Sequence, residues 1–281
     1  MIARVTVLGA GTMGHGIAHA AIAAGYDTSL YDVAEPALAK ARAAVEKIVG
    51  KGVQLGKVAA PDGDAMLRRL AATANLEHAL GEADFIIEAA PERVDLKIQL
   101  FAAIERLAPA RAVIASNTSA LSITEVAATL SNPGRVAGMH FFNPVHRMTL
   151  VEIVQALESA PATLEAIQMV AERMGKATVL VRESPGFITT RVNASIGNEA
   201  FYMLQEGVAT ARDIDKALKL GLNHPMGPFE LVDLVGLDTR LSILEYLHRS
   251  MGEKYRPCPL LAQYVKAGRL GRKTGRGVYD Y

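Results

Sequence analysis

The sequence predicts an α/β protein in two parts: a mostly parallel sheet with an inserted helical hairpin, then an all-helical C-terminal domain. Over the first two-thirds of the chain, short β-branched runs alternate with longer segments of helical periodicity, as expected for parallel strands joined by helices. After the turn sequence ESPG at 183–186, no strand-like run precedes Val278. We therefore predict two domains, at 1–184 and 185–281.

The predicted strands are short runs rich in β-branched and aromatic residues that end at turn-forming residues. Seven runs meet this description, at 4–8, 28–32, 85–88, 112–115, 136–140, 150–154 and 178–181. Helical patterns lie between several of them, for example at 94–107 and 164–174. In the C-terminal part, helices are predicted at 187–205, 211–220, 230–250 and 259–267.

The segment 36–72 differs from its surroundings because it is rich in Ala, Lys and Arg and contains no clear strand pattern. Pro36 suits the first turn of a helix, where its missing N–H has no cost. We interpret the segment as two helices inserted between strands. The break between them is predicted near Pro61 and Gly63, which are turn-forming residues.

The composition is that of a globular protein, and it excludes several classes of partner. Of 281 residues, 50% are hydrophobic and 21% are charged, with a formal net charge of +1. This balance gives no reason to expect nucleic acid or a membrane surface as a partner. No apolar stretch has the length of a membrane span, and the first ten residues lack signal-peptide features. Cys258 is the only cysteine, which fits a reducing compartment, so we expect a cytoplasmic protein without a metal site.

A glycine-rich turn links the first predicted strand to the first helix. Residues 5–14 have the sequence VTVLGAGTMG, which places Gly9, Gly11 and Gly14 in GxGxxG spacing. In a dinucleotide site these glycines permit the tight turn, the approach of a pyrophosphate and close helix–strand packing, respectively. The helix N-terminus then offers free N–H groups to the phosphates. The motif alone is weak, because a glycine-rich turn can serve only a tight strand-to-helix connection.

Asp32 discriminates between these two interpretations. It ends the second predicted strand, 18 residues beyond Gly14. A carboxylate at this point accepts hydrogen bonds from both ribose hydroxyls and repels a 2′-phosphate, and no arginine directly follows it. The alternative is a solvated residue at a strand end. With the strand, loop, helix and acid all in place, the sequence predicts NAD as the cofactor rather than NADP.

Polar residues with reactive side chains follow two later strands. Ser119 lies in ASNTSALS and His140 in GMHFFNP, and ligands of an open parallel sheet bind outside the carboxyl ends of its strands. Glu152 comes twelve residues after His140, near the start of the next predicted strand. A histidine can take the hydroxyl proton during alcohol oxidation, a carboxylate can orient it, and a hydroxyl can stabilise the oxygen. The alternative is a core histidine with a chance glutamate.

Longer motifs extend along the whole chain. It contains, in order, GAGTMGHGIA, EAAPE, ASNTSALSITE, MHFFNPV, LVEIV, SPGF, LGLNHPMGPFELVDLVGLD and LGRKTGRGVYDY. Together these stretches resemble the 3-hydroxyacyl-CoA dehydrogenase family, most closely its short single-function members acting on 3-hydroxybutyryl-CoA. The resemblance implies that His140 is the catalytic base, Glu152 its partner, and Ser119 a group that bonds substrate and nicotinamide. It also implies a set of residues near the cofactor: Thr12 and Met13 of the loop, Glu92, Lys97, Asn117, Asn143 and Lys273.

One position departs from the family pattern. Family members often carry an Asn-Arg pair shortly after the PGF turn, and its asparagine contacts the reacting end of the substrate. Here the segment is PGFITTR, which puts Thr190 before Arg191. Threonine offers one hydroxyl donor but no amide carbonyl. We treat Thr190 as the substitute for that asparagine.

Two lysines are candidates for binding coenzyme A, whose phosphates need local cations. Lys47 and Lys51 lie four residues apart in the inserted helical segment and share one helix face. They resemble the family's lysines at the adenosine end of CoA, and Asn143 and Ser119 complete the implied substrate contacts. The alternative is that both lysines belong to a solvated face. His224, in the turn GLNHPMGP, is interpreted as a turn residue rather than a second catalytic group.

The resemblance implies an NAD-dependent (S)-3-hydroxyacyl-CoA dehydrogenase that interconverts 3-hydroxybutyryl-CoA and acetoacetyl-CoA by reversible hydride transfer. It also implies a homodimer formed through the helical domain. Two alternatives stay open at this stage. One is a dehydrogenase of a free hydroxy acid, and the other is an NAD-binding sensor without catalysis.

Overall fold

The computed structural model describes residues 2–281 and confirms the predicted fold class. The chain divides into two compact units, Met1–Glu183 and Ser184–Tyr281. The first unit contains the sheet and the second contains only helices and short bridges. Each unit has its own hydrophobic core.

The sheet of the first unit has eight strands in the order β3-β2-β1-β4-β5-β6-β7-β8. All neighbours are parallel except β6 and β7, which are antiparallel. The first six positions follow the strand order of a Rossmann fold, in which ligands bind at the carboxyl ends of the strands. The strands are β1 (Arg4–Leu8), β2 (Asp27–Tyr31), β3 (Leu70–Thr73), β4 (Phe85–Glu88), β5 (Val113–Ser116), β6 (Val136–Phe141), β7 (Leu150–Gln155) and β8 (Ala177–Arg182).

Helices connect the strands of this unit and cover the sheet. Strands β4 and β6 are buried along their whole length, as expected for central strands with both faces covered. The predicted helix at 94–107 agrees with the structure residue for residue. The helices are α1 (Thr12–Ala23), α2 (Glu35–Gln54), α3 (Ala60–Arg68), α4 (Leu76–Leu80), α5 (Val94–Leu107), α6 (Ile123–Ala127) and α7 (Pro161–Arg173).

Two predictions for the inserted segment were wrong in detail. Strand β3 was missed because LAAT has little strand propensity; its strand conformation comes from parallel pairing with β2 at the sheet edge. The helix break lies between α2 and α3, before Pro61, which sits in the first turn of α3 and is tolerated there. Gly63 is a packing residue, because a Cβ on it would lie 3.0 Å from Val53 and 3.3 Å from Val49.

The second unit consists of helices around a compact core. The predicted helix at 230–250 is two helices, because Gly236 adopts a φ of 108° and ends the first of them. Phe201 and Phe229 meet edge to face at the centre, with ring centroids 5.2 Å apart. The helices are α8 (Thr189–Gln205), α9 (Ala211–Gly221), α10 (Pro228–Val235), α11 (Leu237–Met251) and α12 (Pro259–Lys266).

Two buried carboxylates organise this helical unit. Asp215 accepts hydrogen bonds from the backbone N–H groups of Phe229 and Glu230 and so caps α10. Asp233 accepts from the N–H groups of Val278 and Tyr279, which ties the C-terminal residues to α10. Among residues 2–281, no helix combines the length and apolar character needed to cross a bilayer. The same residues contain no cluster of three or more His, Cys, Asp or Glu side chains arranged to hold a metal ion.

Candidate active site

The glycine-rich loop connects β1 to α1 in the geometry that GxGxxG requires. Gly9 has a φ of 106°, and its N–H donates to the carbonyl of Tyr31. A Cβ on Gly14 would lie 1.7 Å from the Gly9 oxygen, so only glycine fits there. A Cβ on Gly11 would meet nothing within 4 Å, so this side of the loop is open to a ligand. Because α1 has no side-chain cap and no acid in its first turn, its N-terminal N–H groups can bind phosphate oxygens.

Asp32 lies beside this loop, directly after β2. The strand ends at Tyr31, one residue earlier than predicted. The carboxylate accepts hydrogen bonds from the backbone N–H groups of Ala10, at 2.8 Å, and Ala34, at 3.0 Å. These two bonds fix the orientation of the side chain next to the glycine turn. The open Gly11 face, the uncapped helix and this carboxylate together fit a dinucleotide without a 2′-phosphate.

A buried ionic network joins the ends of β4 and β5. The Lys97 ammonium lies 2.6 Å from Oε1 of Glu88, and the two side chains are 1% and 0% exposed. Glu88 also accepts from the Ser116 hydroxyl, at 2.6 Å, and from the N–H of Ala90, at 2.7 Å. Sequence reasoning selected Lys97 but missed Glu88 and Ser116. Glu88 could have been identified from the sequence, because it is a glutamate at the end of an otherwise apolar strand.

Glu92 organises the turn that carries Ser119. Its Oε1 accepts from the Thr118 hydroxyl, at 2.5 Å, and from the Ser119 N–H, at 2.9 Å. Its Oε2 lies 3.5 Å from the Lys97 ammonium. Asn117, just before this turn, accepts a hydrogen bond from the Phe141 N–H at 2.9 Å and links the end of β5 to the end of β6. Glu92, Lys97 and Asn117 thus hold the strand-end loops in place.

His140 and Glu152 form a directly bonded pair on β6 and β7. The antiparallel register sets the two residues opposite each other, which places their side chains on the same face of the sheet. Nδ1 of His140 lies 2.7 Å from Oε2 of Glu152, and both side chains are buried. Because an ionised carboxylate only accepts hydrogen bonds, we assign the proton to Nδ1. The Phe142 ring packs against the imidazole at 4.6 Å between centroids.

Three further predicted site residues of the first unit are exposed: Asn143, Lys47 and Lys51. Asn143 follows β6 directly and precedes a cis peptide bond to Pro144. Lys47 and Lys51 lie one turn apart on α2 and are exposed. Neither lysine forms an ion pair with another residue in the described range 2–281.

The helical unit contains the other predicted site residues. Thr190 lies in the first turn of α8 and is half-buried. The Lys273 ammonium is held by Asp238, at 2.6 and 2.7 Å from its two carboxylate oxygens. His224 donates its backbone N–H to the Leu218 carbonyl, as expected of a turn residue.

A cluster of basic side chains beside α1 was not identified from the sequence. His19 and His146 meet edge to face, with ring centroids 6.3 Å apart. Burial, together with the nearby basic groups His146, Lys176 and His15, lowers the pKa of His19 from 6.5 to about 4. Burial also lowers the pKa of Lys176, whose ammonium donates to the carbonyls of Val145 and Met148. The members of this cluster come from α1, from the loop after β6 and from the residue before β8. No local sequence pattern therefore predicts the cluster.

A glycine turn with a neighbouring carboxylate and a buried histidine–carboxylate pair are the features expected of an NAD-dependent dehydrogenase. Comparison with known proteins agrees. Residues 4–184 match the model of the 3-hydroxyacyl-CoA dehydrogenase NAD-binding domain, and residues 186–281 match that of the 3-hydroxyacyl-CoA dehydrogenase C-terminal domain. The chain therefore belongs to the 3-hydroxyacyl-CoA dehydrogenase family and is an oxidoreductase that uses NAD.

Individual relatives cover the full chain. A Bacillus subtilis strain 168 protein named "Probable 3-hydroxybutyryl-CoA dehydrogenase" is 45% identical over 100% of this chain and 98% of its own length. A 3-hydroxybutyryl-CoA dehydrogenase of Bradyrhizobium diazoefficiens is 43% identical over 100% of this chain and 96% of its own. The crystal structure of (S)-3-hydroxybutyryl-CoA dehydrogenase from Ralstonia eutropha matches with a TM-score of 0.96 and 41% identity, covering 100% of this chain and 99% of that one.

Proposed function

We propose that this protein oxidises (S)-3-hydroxybutyryl-CoA to acetoacetyl-CoA with NAD, and that it catalyses the reverse reaction as well. The observation that carries the proposal is the 2.7 Å bond between His140 and Glu152 next to the end of β6. The substrate is supported by the names of the full-length relatives, which are similar to this chain over its whole length.

In the proposed reaction, His140 is the general base. With its Nδ1 proton donated to Glu152, the imidazole takes the substrate hydroxyl proton on Nε2. Glu152 keeps the ring in this orientation and stabilises the imidazolium that forms. When bound, NAD would supply the hydride acceptor for the carbon that carries this hydroxyl group. In the reverse direction His140 returns the proton to the oxygen.

Ser119 and Thr190 are proposed to stabilise the reacting oxygen through their hydroxyl groups. The Ser119 backbone N–H is already bonded to Glu92, which fixes the turn around the hydroxyl. The proposed cofactor contacts are the loop residues Gly9, Gly11, Thr12, Met13 and Gly14 together with Asp32, Glu92, Lys97, Asn117, Ser119, Asn143 and Lys273. Within this set, the hydrogen bonds of Glu92, Lys97 and Asn117 support a positioning role.

We further propose that Lys47 and Lys51 bind the phosphates of coenzyme A, with Asn143 and Ser119 nearer the acyl group. Their exposure on one face of α2 and their lack of an ion pair with any residue of 2–281 support this role. The proposal also includes two domains, at 1–184 and 185–281. It further includes a homodimer formed through the helical domain and a cytoplasmic location. The single, buried Cys258 supports a reducing compartment.

The proposal is tested by the oxidation of NADH in the presence of acetoacetyl-CoA. We expect turnover by the full chain, and a loss of about 10²–10⁴-fold in kcat for His140→Gln, because the proton transfer loses its base. Glu152→Gln should lose kcat to a similar extent while the Kd for NADH changes little, because the carboxylate acts on the histidine. Normal turnover by His140→Gln with intact NADH binding would contradict the assignment. Binding of NADH without any turnover would instead support a sensor.

A further inference from the structure

The basic cluster beside α1 has no part in the proposed chemistry. Its members come from three parts of the first unit: His15 and His19 of α1, His146 of the loop after β6, and Lys176 just before β8. None of the four side chains forms an ion pair with another residue of 2–281. The Nδ1 atom of His19 is buried and has no hydrogen-bond partner in the same range. A group of basic side chains without a counter-charge suits a bound anion.

The loop that carries His146 is fixed in place but is not enclosed. The Lys176 ammonium donates to the carbonyls of Val145 and Met148, at 2.6 and 2.7 Å. The loop also packs directly on α1, because a Cβ on Gly16 would lie 3.0 Å from the Val145 side chain. His146 itself is exposed. Its imidazole is therefore held on a rigid loop at a surface that a ligand can reach.

The basic cluster is continuous with a lysine that is proposed to bind coenzyme A. Burial of part of its ring lowers the pKa of His146, and so do four nearby basic groups: Arg147, His15, Lys176 and Lys51. Lys51 of α2 is thus close enough to act on the imidazole. Lys51 and Arg147 are both exposed, and neither is ion-paired within the described range 2–281. Basic groups from α1, α2 and the loop after β6 therefore lie together in the first unit.

The position of the cluster along α1 favours coenzyme A over NAD as the source of the anion. NAD phosphates are expected at the N-terminus of α1, beside Gly11. His19 comes eight residues after Gly11, about 12 Å further along the helix, and its ring meets that of His146 edge to face. The cluster thus extends away from the glycine-rich loop, and its other neighbour is Lys51.

We propose that His146 and Arg147 join Lys51 in binding the phosphate groups of coenzyme A, and that His146 takes up a proton from solvent when the coenzyme binds. The inference rests on the proposed function, which makes coenzyme A the carrier of the substrate. A phosphate beside an imidazole favours the imidazolium, through opposite charge and through a charge-assisted hydrogen bond.

This proton uptake makes coenzyme binding depend on pH. In the free protein the surrounding basic groups disfavour a charge on His146, so the imidazole is mostly neutral at pH 7. A bound phosphate raises the pKa of the imidazole. Between the pKa values of the free and bound states, the complex holds more protons than its separate components. The Kd for coenzyme A should therefore fall as the pH decreases through this range.

The test is a calorimetric titration of the NAD-saturated protein with coenzyme A at pH 6 and pH 8. The measured quantity is the Kd of His146→Gln divided by the Kd of the unsubstituted protein, a ratio in which the titration of the coenzyme's own phosphate cancels. We expect a ratio of about five or more at pH 6 and of less than about two at pH 8, because the charged donor is present only at the lower pH. Equal ratios at the two pH values, or no measurable binding of coenzyme A, would overturn the proposal.

Two further variants sharpen this experiment. Arginine stays charged at both pH values, so Arg147→Gln should raise the Kd by about the same factor at pH 6 and pH 8. His78→Gln, which removes an exposed histidine of α4 outside the basic cluster, should leave the Kd unchanged at both.

A change of ligand identifies the phosphate that is bound. With dephospho-CoA, a ratio that persists at pH 6 assigns His146 to the diphosphate, and a ratio that vanishes assigns it to the 3′-phosphate. The Kd for NADH should stay the same in His146→Gln. If the substitution weakened NADH binding instead of coenzyme binding, the cluster would belong to the cofactor and the proposal would be wrong.

Equilibrium binding separates this proposal from the proposed function, because coenzyme A lacks the reacting acyl group. If acetoacetyl-CoA is not reduced, the proposed function fails, and the two Kd ratios still decide the role of His146. If acetoacetyl-CoA is reduced but the ratios are equal at pH 6 and pH 8, only the present proposal fails. Both His146 and Arg147 are exposed, so their glutamine variants are expected to fold.

Discussion

His19 is a partly buried histidine in α1 whose Nδ1 has no hydrogen-bond partner among residues 2–281. The groups that face it are all basic: His15 on its own helix, His146 from the loop after β6, and Lys176 just before β8. Protonation of His19 in the folded state therefore adds a buried charge next to other cations. The same residues Val145 and Met148 that accept from Lys176 anchor the loop that carries His146.

This arrangement predicts a loss of stability in mild acid. The unfolded chain protonates His19 near pH 6.5 and the folded chain only near pH 4, so the unfolded state binds more protons between these values. The free energy of unfolding should therefore fall as the pH drops from 6.5 to 4, by at most about 3 kcal/mol from this residue. His19→Met should reduce that dependence in urea unfolding experiments at pH 7 and pH 5. Equal pH dependence in both proteins would refute the role of His19.

The buried Glu88–Lys97 pair is the other residue-scale feature that orders the site. Replacing only Lys97 would leave a buried carboxylate without its counter-charge, which is far more costly than replacing both partners by apolar residues. The pair joins the loop after β4 to the Ser116 hydroxyl at the end of β5. The pair thus fixes the ends of β4 and β5, which are followed by the loops that carry Glu92 and Ser119.

At the scale of the element, the β1–α1 turn contains a packing glycine, Gly14, and a glycine proposed to face the cofactor, Gly11. Gly14→Ala would drive a Cβ into the Gly9 carbonyl, so it should cost more than about 3 kcal/mol of stability. Gly11→Ala meets no neighbouring atom and should cost less than about 1 kcal/mol. Its methyl group would stand where the pyrophosphate approaches, so the Kd for NAD should rise by about tenfold or more, a loss of about 1.4 kcal/mol.

Calorimetric unfolding and NAD titration of the two variants form a matched experiment. Gly14→Ala is expected mainly to lower the stability of the protein. Gly11→Ala is expected mainly to weaken its affinity for NAD. If Gly11→Ala bound NAD like the parent protein, the open face of the loop would not be the phosphate site. The contrast depends only on where each Cβ points, because the two substitutions are chemically identical.

At the scale of the whole molecule, the proposed homodimer has a direct test. The chain has a mass of 29.9 kDa, so sedimentation equilibrium of a dimer should give about twice that value. Several large apolar side chains of the helical unit are exposed, among them Leu220 at 77% and Leu222 at 65%. Larger exposed apolar patches mark subunit contacts, so these leucines are the positions at which we test the association. We expect Leu220→Glu with Leu222→Glu to weaken the association, whereas a monomer in the unsubstituted protein would contradict the proposal.

Much of the sheet was predictable from sequence because its central strands are buried on both faces and therefore appear as short apolar runs. The edge strand β3 was not, because its LAAT sequence becomes a strand only through its hydrogen bonds to β2. The division between α10 and α11 was missed for a related reason. Helical periodicity continues across Gly236, and only the backbone conformation of that glycine reveals the break.

The sequence by itself determined the glycine turn, the position of Asp32 after the second strand and the family, because these depend on residue types at short spacing or on long motifs. Only the tertiary structure decided the antiparallel register that pairs Glu152 with His140 and the burial of Lys97 against Glu88. The same holds for the buried nitrogens of His19 and Arg240 that have no hydrogen-bond partner among residues 2–281. These features join residues from separate elements. Their energies depend on burial and on the absence of solvent, neither of which a local pattern of residues specifies.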